Sequence, residues 1–294
     1  MRVIALPGAS RFAATLAAAL DCPCSALFTR SFPDGETLVR LDTDVAGEAV
    51  ILAGSLDHPD LKTLPLIFAA DAARELGAVK VGLVAPYLAY MRQDARFQPG
   101  EAISSRSYAF VLSSSVDFLV TVDPHLHRWR SLNDIYTIPT EVVPAAPAIA
   151  AWIRDNVPAP LIVGPDAESE QWVAHVAQLA GAPHTVMAKT RRGDRDVGVE
   201  LHDKGPWPGR TPVLVDDIIS TGHTLIGATL ALREAGLAAP LCIGVHALFD
   251  DPALQQMHAA GIARVLSCET VAHASNAISI GPGLAHAVRR LVTG

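Results

Sequence analysis

The residues best suited to chemistry fall in Val213-Leu214-Val215-Asp216-Asp217-Ile218-Ile219-Ser220-Thr221-Gly222-His223-Thr224. An apolar run ends in two acids, passes a Ser/Thr/Gly turn and enters a helical pattern from Leu225 to Ala235. That order builds an anion site, because the first N–H groups of a helix lack internal partners and its dipole favours negative charge there. Ser220, Thr221 and Thr224 add hydroxyl donors, and Gly222 lets the backbone come close to a phosphate. Asp216 and Asp217, expected at the strand's carboxyl end, can accept from sugar hydroxyls or hold a divalent cation. The absence of Gly-Lys-Ser/Thr excludes a Walker-type loop. The chemistry these residues suit is sugar-phosphate binding. The plainer alternative is a strand ending in solvated acids, with Thr221 as an ordinary helix cap.

Five further segments carry charged or aromatic residues next to apolar runs. Ser31-Phe32-Pro33-Asp34-Gly35-Glu36 is either a surface turn before a strand at Thr37–Leu41 or an aromatic-plus-acid loop able to hold a purine. In Pro86–Glu101, Arg92 and Arg96 could grip a polyphosphate bidentately, or pair with Asp94 and Glu101 in a solvated loop. Asp123-Pro124-His125-Leu126-His127 follows another apolar run, and an extended His-x-His points both rings the same way, a possible metal arrangement. Asp166 ends a run at Leu161–Val163, either as a ligand or as a cap of the helix that follows. Ala188–Val197 is charged and contains Gly193, which suits an exposed run or a flap bringing Lys189 and Arg191 onto phosphates.

Something must position these segments. Strands are expected at Val3–Leu6, Ala49–Ala53, Val79–Ala85, Phe118–Val122, Leu161–Val163, Thr185–Met187, Val213–Val215, Leu241–Val245 and Val265–Leu266. Helical patterns lie between them near Ala9–Leu20, Asp60–Leu76, Ser104–Ser114, Ala145–Arg154, Glu168–Ala180, Gly222–Ala235 and Pro252–Ala260. Such alternation implies α/β architecture with largely parallel sheets. The Pro-rich Ile138–Pro147 marks a boundary near the midpoint, giving domains at 1–143 and 144–294.

A chain of 294 residues has room for two ordinary cores. Half of it is hydrophobic, but no run reaches the length of a membrane span, and Met1–Leu6 reads as a first strand and not a signal peptide. A net charge of −7 argues against nucleic acid or an acidic membrane as partner. A soluble, cytoplasmic protein is expected. Cys22, Cys24, Cys242 and Cys268 form no paired framework and are expected to be reduced, structural thiols.

Taken in order, these segments resemble the ribose-phosphate pyrophosphokinases, and the Asp216–Thr224 stretch resembles the phosphoribosyl pyrophosphate signature shared with type I phosphoribosyltransferases. Pro99-Gly100-Glu101 with Ile103-Ser104 is most similar to the archaeal-type branch. The resemblance implies two tandem phosphoribosyltransferase-like domains, each a largely parallel sheet flanked by helices. The first would be the ATP side and the second the ribose 5-phosphate side. It implies ATP binding by Phe32, Asp34 and Glu36 (reaching a neighbouring subunit's site) and by Arg92, Gln93, Asp94 and His125. It implies Mg²⁺ at Asp123, His125 and Asp166, and ribose 5-phosphate at Asp166, Asp216, Asp217, Ser220, Thr221, Gly222, His223 and Thr224. Lys189, Arg191 and His125 would be the catalytic groups, and a homo-oligomer, at least a dimer, would follow.

Two features depart from the family pattern: Glu168 and Glu170 stand where small residues are usual, and His223 where glycine or alanine is common. The chain is also short beside the bacterial enzymes under ADP control. A phosphoribosyltransferase acting on a base would share the last signature but not the ATP-side set. A non-catalytic, nucleotide-sensing homologue would not need Lys189 and Arg191.

Overall fold

The computed structural model describes residues 1–191, 197–201, 205 and 207–293. They fall into two compact units, Met1–Pro144 with Ile280–Gly294, and Ala145–Ser279.

The first unit runs β1 (Arg2–Ala5), α1 (Ser10–Leu20), β2 (Cys24–Ala26), β3 (Phe28–Ser31), β4 (Thr37–Arg40), β5 (Ala49–Ala53), α2 (Pro59–Glu75), β6 (Lys80–Ala85), α3 (Ser104–Ser115), β7 (Phe118–Val122) and β8 (Thr140–Val143). Six of these strands form a parallel sheet in the order β2-β1-β5-β6-β7-β8, and β3 and β4 make a separate antiparallel hairpin. Every residue of β5 and β7 is buried, as befits parallel strands covered on both faces. Phe118 of β7 fits because Gly82 opposite it in β6 has no side chain; a Cβ there would come within 2.0 Å of the ring.

The second unit runs α4 (Ala146–Asn156), β9 (Pro160–Gly164), α5 (Glu170–Ala180), β10 (His184–Arg191), β11 (Val197–Leu201), β12 (Thr211–Ile219), α6 (His223–Glu234), β13 (Leu241–Ala247), α7 (Asp251–Ala259), β14 (Arg264–Cys268) and β15 (Asn276–Ile278). Its seven-stranded sheet has the order β11-β10-β9-β12-β13-β14-β15, parallel except between β10 and β11. Each sheet reverses its strand order once, between β1 and β5 and between β9 and β12. Chain leaving the two strands in opposite directions opens a crevice at their carboxyl ends.

Several expectations change. The last helix, α8 (Gly281–Thr293), belongs to the first unit and not to a 144–294 domain. Lys80 donates to the Leu291 carbonyl at 2.6 Å, Arg289 to that of Ala19 at 2.6 Å, and Arg290 pairs with Glu141 at 3.1 Å. The Pro-rich boundary segment contains edge strand β8, because its prolines flank Thr140–Val143 and leave that stretch free to pair with β7. β12 extends to Ile219, so Asp216 and Asp217 lie inside the strand and not beyond its end. No disulfide joins the cysteines among the described residues, and Cys242 and Cys268 are buried. Among the described residues no helix is long and apolar enough to cross a membrane.

Candidate active site

In the second unit the loops after β9 and β12 flank the crevice. β12 delivers Asp216 and Asp217, and the chain turns through Ser220 and Thr221 to Gly222, the residue before α6. Gly222 has φ of +72°, and a Cβ there would also meet the Met257 side chain at 2.8 Å. Only glycine fits on both counts. Among the described residues no side-chain cap is found for α6, so its first-turn N–H groups lie beside the exposed Thr221, His223 and Thr224 without one. The alternative role of Thr221 as a cap is therefore not adopted.

Asp216 is half-buried, and its carboxyl is pushed up to about 8. Burial is the largest cause, followed by the charge of Asp217, a hydrogen bond between the two side chains and the charge of Asp166. The Asp217 amide donates to Asp216 Oδ1 at 3.0 Å and partly offsets the rise. The structure thus brings Asp166, Asp216 and Asp217 into one negative field. Asp166 also shapes the start of α5, accepting from the Ser169 amide at 3.0 Å. Its sequence-level alternatives, ligand and cap, are compatible, since a carboxylate has a second oxygen.

Lys189 and Arg191 lie on β10, where their backbones pair with Val199 and Val197 of β11. Their side chains, and residues 192–196 of the expected flap, lie outside the described residues.

In the first unit the charged loops follow neighbouring strands β6 and β7. Arg92 is exposed and makes no ion pair among the described residues. Gln93 is partly buried, and its side-chain amide donates to Glu101 at 3.3 Å. Asp94 departs from both readings made of it. Its side chain is only 1% exposed and pairs with neither Arg92 nor Arg96 but with Arg128, at 2.7 Å. Arg128 had no role in the sequence reading, because nothing local links it to a carboxylate 34 positions away. Asp123 holds a strained φ of +32°, and beyond it the His125 and His127 rings stack with 5.9 Å between centroids and 5° between planes. The two rings do point the same way, as expected.

Phe32 sits at the end of the β3–β4 hairpin, exposed, with the Arg30 guanidinium 4.7 Å from its ring centre. Asp34 accepts from the Glu36 amide at 3.1 Å, and Gly35 takes φ of +91°. This is a rigid turn that presents an aromatic ring and two acids to solvent. Among the described residues no three His, Cys, Asp or Glu side chains stand close enough to hold a metal alone. Asp123 and His125 belong to the first unit and Asp166 to the second. A Mg²⁺ site fits this donor set only in its usual open form, with one or two carboxylates, waters and substrate phosphates.

Residues 1–115 match the N-terminal domain of ribose phosphate pyrophosphokinase, and residues 133–285 match the phosphoribosyl transferase domain. The chain is 34% identical over 295 residues to the ribose-phosphate pyrophosphokinase of Methanopyrus kandleri, covering 99% of each. It is 31% identical over 288 residues to that of Methanothermobacter thermautotrophicus, covering 98% of this chain and 99% of the relative. The crystal structure of phosphoribosylpyrophosphate synthetase from Mycobacterium smegmatis superposes with a TM-score of 0.84 at 26% identity, covering 99% of this chain and 98% of that one.

Proposed function

The chain belongs to the ribose-phosphate pyrophosphokinase family, and we propose that it transfers the β,γ-diphosphoryl group of ATP to the C1 hydroxyl of ribose 5-phosphate. The C1 oxygen attacks the β-phosphorus, the bond from that phosphorus to the AMP oxygen breaks, and the hydroxyl proton is lost. The products are phosphoribosyl pyrophosphate and AMP. The supporting observation is the uncapped helix start after Asp216–Asp217, at the strand-order reversal of the second sheet. It is matched to a phosphorylated sugar in both its anion-binding and its hydroxyl-accepting halves.

In this reading Ser220, Thr221, Gly222, His223 and Thr224 hold the 5-phosphate, and Asp216, Asp217 and Asp166 accept from the ribose hydroxyls. Arg92, Gln93 and His125 hold the triphosphate and nucleoside, and a neighbouring subunit's Phe32, Asp34 and Glu36 close over the adenine. Lys189 and Arg191 neutralise charge on the β-phosphoryl and departing AMP oxygens. With no covalent intermediate required, catalysis rests on positioning and on preorganised charge. Asp123, His125 and Asp166 are the groups that would hold Mg²⁺, which supplies neutralisation of the polyphosphate. The enzyme would act in the cytoplasm as a homo-oligomer.

The test is ³¹P NMR of the purified protein with Mg²⁺, ATP and ribose 5-phosphate. AMP and a new diphosphoryl sugar should form in equal amounts, and only when the sugar is present. ADP in place of AMP would mean transfer of the γ-phosphoryl group alone and would reject the reading.

A further inference from the structure

We infer that Asp94 and Arg128 form a latch between the loops after β6 and β7 at the carboxyl edge of the first sheet, and that Arg128 is a positioning residue for the reaction. The inference rests on the proposal that the nucleotide binds at that edge.

The geometry assigns both carboxylate oxygens of Asp94. Oδ1 accepts from the Arg128 guanidinium at 2.7 Å, and Oδ2 accepts from the Arg128 backbone amide at 3.1 Å. With its side chain 1% exposed, Asp94 has no face left to offer a nucleotide. Arg92 and Gln93, two residues and one residue earlier, are exposed and half-buried. The motif therefore grades by burial: Arg92 faces out, Gln93 is half-buried against its own loop, and Asp94 faces in and ties down the neighbouring loop. The amide contact ties the backbone of the loop carrying His125 and His127, and the guanidinium pair supplies the charge that holds the buried carboxylate in place to accept it.

The rest of the junction is rigid in the same sense. Glu101 Oε2 accepts from the amides of Phe97 and Gln98, at 2.9 and 3.1 Å, closing the arginine loop on itself. The Arg128 guanidinium lies 5.2 Å from the centre of the Phe97 ring, a cation–π contact that holds its outer side. A second tie runs beside the first, from the Trp129 indole N–H to Ser105 Oγ at 3.2 Å. β6 and β7 are adjacent and in parallel register, so their loops leave the sheet side by side. A carboxylate buried between them can be balanced only by a group from across the junction, which makes the pair a specific tether. Positioning of this kind bears on rate, because a misplacement of about 1 Å costs roughly a hundredfold.

The experiment is a double-mutant cycle of Asp94→Asn, Arg128→Gln and the pair together, with Arg128→Lys alongside. It measures kcat and KM for ATP, ribose 5-phosphate affinity, and hydrogen exchange of residues 123–131. Each single change should lower kcat/KM for ATP by about ten- to a hundredfold and speed exchange across 123–131. Ribose 5-phosphate affinity should stay unchanged. The double variant should be no worse than the poorer single one, since both break the same tether. Arg128→Lys should recover part of the loss.

Losses that multiply in the double variant would overturn the latch, because Arg128 would then be acting directly on substrate. Unchanged exchange in Asp94→Asn would overturn it as well. Arg128 is half-exposed, so Arg128→Gln should remain folded even if Asp94→Asn does not, and a thermal melt checks this. If the wild-type protein makes no AMP, the functional proposal fails, and the exchange measurement still decides the latch.

Discussion

At the strand-order reversal of the second sheet, the loops after β9 and β12 carry Asp166, Ser220, Thr221 and a helix start that no side chain caps. At the corresponding reversal of the first sheet, β1 runs into Leu6 and β5 into Gly54. Leu6 is 2% exposed, and a Cβ added at Gly54 would lie 2.8 Å from the Leu6 Cβ. An apolar side chain packed onto a glycine thus occupies the place where the second sheet is open. The first unit's exposed Arg92, its half-buried His125 and its exposed His127 lie instead beyond the ends of β6 and β7. One topology offers the same strand-order reversal twice, and side chains decide that one presents exposed polar groups and the other is core. A fold locates candidate sites; only residue chemistry fills them.

The comparison can be broken most sharply at the charged strand beside the open crevice. Lys189→Ala should lower kcat by about a hundredfold, roughly 3 kcal/mol of barrier, and leave ribose 5-phosphate affinity within a few-fold. Steady-state AMP production and sugar titration measure the two separately, and equal losses in both would remove Lys189 from the transition state. Gly222→Val should abolish measurable sugar-phosphate binding and cost about 2 kcal/mol of stability. Its φ of +72° and the nearby Met257 leave no room for a branched side chain.

Asp216→Asn tests the electrostatics. Asp216 is raised to about 8 from 3.8, so between those values the folded state binds a proton that the unfolded state has released. Wild-type stability contributed by this group therefore falls as pH rises from about 4 to about 8, by on the order of 2 kcal/mol after allowing for partial exposure. The variant should lose that dependence and melt higher than wild type at pH 8, with little difference at pH 4. It should also bind ribose 5-phosphate more weakly, because a carboxylate acceptor is gone. A variant that melts lower than wild type at pH 8 would refute the burial argument. The smallest effect is expected at the closed crevice. Gly54→Ala should cost about 1–2 kcal/mol by overpacking against Leu6 and leave sugar-phosphate affinity unchanged. A shift in that affinity would mean the two crevices are not functionally distinct.

How much of this was legible in the sequence follows from how local each feature is. The strand–turn–helix around Gly222 could be read directly, because its signals lie within a dozen consecutive residues. The α/β class and most element positions followed from alternation of short apolar runs with helical patterns. α8 escaped notice although its buried Leu284, Ala285 and Val288 follow a helical pattern. Its assignment to the first unit depends on Lys80 and Ala19, more than two hundred positions away. β8 was masked by its flanking prolines, which read as a boundary. Asp94 was misplaced for a related reason: an acid beside two arginines in sequence pairs with neither, because its backbone position turns it inward toward Arg128.

The sequence by itself determined which groups are present at each strand end, and hence the hydrogen-bonding and charge they can offer a ligand, since those are properties of residue types at short spacing. The tertiary structure decided which of those groups face out, which crevice stays open, and how far Asp216 is raised. Burial and charge–charge coupling are set by neighbours brought together across the sheet, and no local spacing encodes them.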